Sequence, residues 1–108
     1  MTPPAWSDLL RTRLFYGRDR AVTIGTLTEQ LGCSRRIVER AVEELRLSGT
    51  PICSGTDGVW LSTDARELYE QAERLRSRAL HVLLGARALR QTARRHERVQ
   101  QTSLWDVA

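Results

Sequence analysis

A chain of 108 residues with a hydrophobic fraction of 41% has room for one modest domain and an appendage, and too little for an enzyme built around a deep pocket. Its formal charge of +4 comes from 17 arginines against 13 acids, with no lysine, a balance that suits a nucleic-acid partner and that a GC-rich genome would equally produce. Cys33 and Cys53 have no second Cys or His pair at zinc spacing, so buried reduced thiols and no metal site are expected.

Residues 5–16 follow Pro3 and Pro4 and repeat Trp6, Leu9, Leu10, Leu14 and Phe15 at helical spacing, which predicts a first helix with one buried face. Residues 17–20 (Gly-Arg-Asp-Arg) break that pattern, and residues 21–24 (Ala-Val-Thr-Ile) read as a small β-branched edge strand. Helices are expected at residues 26–31 and 34–48. Between them Gly32 can take the positive φ of a sharp reversal, and Ser34 can cap the second helix. Val38, Ala41, Val42 and Leu45 form the inward stripe of that helix, and Gly49 ends it as a C′ residue. Two short strands, 51–54 and 59–62, then flank the turn Gly55-Thr56-Asp57-Gly58.

The outward set at the start of the 34–48 helix is Arg35, Arg36, Glu39 and Arg40. A major groove admits one helix, and arginines on its first turns can reach base edges, so Arg35, Arg36 and Arg40 are the candidate DNA-binding residues, with Ser34 and Thr28 near a phosphate. The competing reading is a solvated face on which these arginines pair with Glu39, Glu43 and Glu44. Glu43 and Glu44 confine any phosphate contact to the front of the helix, and the hairpin tip, residues 54–58, has no basic residue. Arg11, Arg13, Arg18 and Arg20 make a second basic patch around the end of the first helix, of which Arg18 and Arg20 either flank the groove or simply lie on the surface.

Helix, strand, helix, helix, hairpin is the order of a winged helix, and residues 5–62 resemble the winged helix-turn-helix family of bacterial and phage DNA-binding proteins. The run Leu31-Gly32-Cys33-Ser34-Arg35-Arg36 is similar to that family's turn and recognition-helix start, while Thr28 stands where the family usually carries alanine. The resemblance implies a mainly α fold with a small hairpin, and a double-stranded DNA partner read by helix 34–48 in the manner of a transcriptional regulator.

Beyond this domain, expected at residues 1–62, a long C-terminal helix is predicted over residues 63–100, with Thr63 as cap and Asp64 and Glu67 near its positive end. Leu68, Ala72, Leu75, Ala79, Val82, Ala86, Leu89 and Ala93 alternate in steps of four and three, a heptad seam that makes this helix the expected homodimerisation element. Folding back on the first helix is the alternative, and Gly85 marks a candidate bend. Leu80, Leu83 and Leu84 widen the apolar face, and eight arginines between Arg74 and Arg98 oppose one acid, Glu97.

Residues 101–108 are expected to form a flexible tail. Its segment Gln101-Thr102-Ser103-Leu104-Trp105 resembles the pentapeptide with which bacterial proteins bind the replication sliding clamp, making Gln101, Leu104 and Trp105 candidate partner-binding residues. That opens a second functional class: an interaction adaptor, or a replication or recombination accessory, engaging replication or transcription machinery. His81 and His96 have no nucleophile or carboxylate cluster nearby, so neither catalysis nor a cofactor is expected. With no apolar leader and no membrane-length apolar run, a cytoplasmic location is expected.

Overall fold

The structure, a computed structural model, describes residues 5–106, with side chains described through Gln101. The elements run α1 (Trp6–Arg11), a 3-10 turn (Arg18–Arg20), α2 (Ile24–Leu31), α3 (Arg35–Leu47), β1 (Ile52–Gly55), β2 (Gly58–Leu61) and α4 (Ala65–Asp106). The fold is mainly helical, with a two-stranded antiparallel hairpin after the helix-turn-helix segment and a long C-terminal helix, consistent with a winged helix-turn-helix. Two compact units divide between Gln71 and Ala72.

In the first unit, α1 is shorter than its apolar periodicity suggests. Thr12 donates its hydroxyl to the Leu9 carbonyl (2.6 Å), and Arg13 and Leu14 close tight i to i+3 turns onto Leu10 and Arg11. The chain then passes to β2: Leu61 N–H donates to Phe15 O (2.8 Å), and Gly17 N–H donates to Leu61 O (2.9 Å). Residues 13–16 therefore satisfy their backbone partly against a strand instead of prolonging the helix, while Leu10 and Leu14 stay in the core. The expected strand at residues 21–24 is likewise reduced, to one antiparallel bridge between Val22 and Val59. Thr23 is the N-cap of α2, its hydroxyl oxygen accepting from Thr26 N–H (3.2 Å), so Ile24 is already helical.

The core unites Leu10, Leu14, Leu27, Val38, Ala41, Val42, Leu45, Ile52, Val59 and Leu61, and the predicted stripe of α3 supplies four of these ten. At the end of α3, Gly49 N–H donates to Arg46 O and Thr50 N–H to Leu45 O, with Gly49 at φ +98, a Schellman ending that turns the chain into the hairpin. Both faces of β2 are buried. Val59 and Leu61 face the helices, whereas Trp60, 1% exposed, donates Nε1–H to Glu67 Oε1 (2.7 Å) on the first turn of α4. One turn further, Gln71 accepts from Ser54 N–H (3.1 Å) and donates to Ser54 Oγ (3.3 Å).

Asp64, rather than the expected Thr63, caps α4. Its carboxylate accepts from Arg66 N–H (3.0 Å), and its own N–H is held by Ser62 Oγ (3.1 Å). A carboxylate carries more charge than a hydroxyl to the positive end of the helix, which favours Asp64 there.

In the second unit α4 continues without interruption through Gly85, where a bend was a candidate, and past the expected end at residue 100 to Asp106. An interior glycine costs about 1 kcal/mol, less than breaking the hydrogen-bond ladder of a long helix. The continuous helical phase keeps Leu83 beside the seam but turns Leu80 and Leu84 away from it, so these two do not widen that face. Val82, Leu83, Leu84 and Leu89 are all exposed. Among the described residues, no helix is long and apolar enough to cross a membrane.

Candidate nucleic-acid interface

The α2–α3 corner is built from three adjacent residues. Leu31 ends α2, Gly32 takes the left-handed conformation (φ +65, ψ +36), and its N–H donates to Thr28 O (2.9 Å). Cys33 N–H reaches the same carbonyl (3.3 Å), and Ser34 Oγ accepts from Ile37 N–H (3.3 Å) to cap α3. With Val38, Ala41, Val42 and Leu45 buried beneath, the rotation of α3 about its axis is set by packing, and Arg35, Arg36, Glu39 and Arg40 are all exposed.

Within this group the arginines differ. Arg35 Nε donates to Glu39 Oε1 (2.9 Å), an i, i+4 pair with both side chains more than half exposed, and such pairs contribute only about 0–1 kcal/mol. Arg36 and Arg40 have no ion-pair partner among the described residues. Thr28 is half-buried and spends its hydroxyl on Gly25 O (2.6 Å), which accounts for a polar residue at a helix–helix contact. In capping α3 Ser34 uses only its oxygen as acceptor, so the hydroxyl of this exposed residue keeps its capacity to donate.

Arg18, expected as a member of the second basic patch, is brought to the hairpin tip. Placed by the 3-10 turn, its Nε lies 3.2 Å from Asp57 Oδ2 at the hairpin tip, and its guanidinium sits 5.4 Å from the centre of the Trp60 ring. The tip, without a basic residue of its own, thereby gains an exposed cation 39 positions away in sequence, and nothing in the local composition signals that pairing. Gly58 lets the Val22 segment lie against the hairpin: at φ +120, a Cβ there would collide with the Val22 carbonyl. Of the other members of the second basic patch, Arg20 lies over the Phe15 ring (5.0 Å), Arg11 donates to Thr50 Oγ1 (3.2 Å), and Arg13 is exposed. Arg46 is structural as well, bonding Ile52 O and Ser54 Oγ to tie α3 to β1.

The seam residues Leu68, Leu75 and Ala86 are half-buried, while Ala72, Ala79, Val82, Leu89 and Ala93 are exposed. Gln101 is exposed, and the side chains of Leu104 and Trp105, the apolar pair of the clamp-like segment, lie outside the described residues.

Residues 9–56, from α1 through β1, match the family model of the HTH domain, which supports a helix-turn-helix DNA-binding family and DNA as the partner. No curated protein and no solved structure matches the chain.

Proposed function

We propose that this protein is a sequence-specific double-stranded DNA-binding protein, a dimeric transcriptional regulator that inserts α3 into the major groove. The observation that carries this reading is the front end of α3, where Arg36 and Arg40 project, without ion partners among the described residues, from a helix that the Gly32 corner, the Ser34 cap and the buried stripe hold in one orientation. Arginine forks match the acceptor pair of guanine in the major groove, so Arg36 and Arg40 read bases, while Arg35 exchanges Glu39 for a phosphate at little cost. Ser34 at the helix N-terminus meets the backbone, favoured by the positive end of the helix dipole. Arg18 at the hairpin tip supplies a flanking phosphate contact. Two copies joined along the α4 seam would read two half-sites.

Selection of bound sequences from a random duplex pool, followed by titration of the enriched site, tests this. Enrichment of a defined motif is expected, and Arg36→Ala or Arg40→Ala should each weaken its binding by about 1–3 kcal/mol, with Arg66→Ala as the unaffected control. An unstructured pool, or unchanged affinity in both variants, would remove α3 as the reading element.

A further inference from the structure

We propose that α4 pairs with α4 of a second copy of this chain in antiparallel sense over residues 72–89, with the midpoint between residues 80 and 81. This rests on the dimeric reading above and adds its polarity and register.

Two independent features of the seam point the same way. The first is size. In a parallel pair each seam residue meets its own copy, so layers of two alanines (Ala72, Ala79, Ala86) would alternate with layers of two large residues (Leu75, Val82, Leu89). The large layers would hold the helices apart and leave gaps at the alanine layers, and interiors do not tolerate such voids cheaply. In an antiparallel pair Ala72 faces Leu89, Leu75 faces Ala86, and Ala79 faces Val82, so every layer holds one small and one large side chain at an even spacing.

The second is charge. Residues 64–73 carry Asp64, Glu67, Glu70 and Glu73 against Arg66 alone, whereas residues 74–98 carry eight arginines against Glu97. Parallel pairing sets like against like along the whole length. Antiparallel pairing in this register sets residues 64–73 of one copy at the axial level of residues 88–97 of the other, which carry Arg90, Arg94 and Arg95 against Glu97, so acidic and basic stretches share the same level along the axis.

Spin labels on single introduced cysteines, in a Cys33→Ser background whose remaining Cys53 is buried, read the polarity directly. Ser77 and Arg95 are exposed positions off the seam. In the antiparallel pair Ser77→Cys labels lie about 10 Å apart along the axis, and Arg95→Cys labels about 43 Å, from the 1.5 Å rise per residue. The expected result is therefore a short distance at 77 and a long one at 95. Short distances at both positions would overturn the antiparallel sense while leaving the dimer standing. Absence of dipolar coupling at both, with a monomer mass by sedimentation equilibrium, would overturn the dimer and this inference with it.

Discussion

Gly32 and Gly58 both sit at positive φ, yet they differ in what surrounds them. A Cβ at Gly32 meets nothing within 4 Å, whereas at Gly58 it would strike the Val22 backbone. Gly32→Ala should therefore cost only the left-handed strain, about 1–2 kcal/mol, while Gly58→Ala should cost more and loosen the Val22–Val59 bridge. Urea denaturation of the two variants checks the order, and equal losses would contradict it. Gly32 was legible in sequence because it stands between two helical patterns and beside a capping serine. The need for glycine at 58 was not, because it arises from the Val22 backbone, which approaches from 36 residues upstream. The same holds for Arg18, whose partners Asp57 and Trp60 are brought to it only by the folded hairpin.

At the scale of elements, α3 was readable almost to the residue, since its cap, inward stripe and terminal glycine all act within one local helix. The failures fall where long-range pairing competes with local preference: α1 gives up residues 13–16 to β2, and the strand at residues 21–24 contracts because Thr23 caps α2. The junction of the hairpin with α4 shows how much depends on one carboxylate. Hydrogen bonding from Trp60, then from Ser62, with help from the Arg18 charge and against the cost of partial burial, holds Glu67 below the ordinary carboxylate value of 4.5. A depressed folded-state value means that ionised Glu67 stabilises the fold above pH 4.5, and that this contribution disappears as the pH falls through the lower value. Glu67→Gln should flatten the acid limb of a stability-versus-pH curve followed by Trp fluorescence. An acid limb as steep as in the parent protein would show that the Trp60–Glu67 bond does not hold the junction.

For the whole molecule, the long helix was legible over residues 63–100 as a seam of alternating alanine and large apolar residues, with Gly85 a candidate bend at which the helix in fact continues, and only its extension to Asp106 went unread. The exposure of Val82 (67%) and Leu89 (72%) leaves apolar surface that a second copy would cover. If the dimer reads two half-sites, Leu89→Glu should yield a monomer by sedimentation and weaken binding to a two-half-site duplex about a hundredfold, through lost effective concentration, with little change on a single half-site. A monomer that keeps full affinity for the paired site would separate α4 from DNA reading.

Titration of the isotope-labelled protein with its selected duplex, followed through amide and arginine Nε–H resonances, tests the role of α3 most directly. The expected result is that Ser34 through Arg40 and the guanidinium signals of Arg36 and Arg40 shift first and furthest, while Arg66 stays in place. Saturating duplex that leaves the Arg36 and Arg40 signals unmoved would contradict the assignment of α3 as the helix that enters the groove.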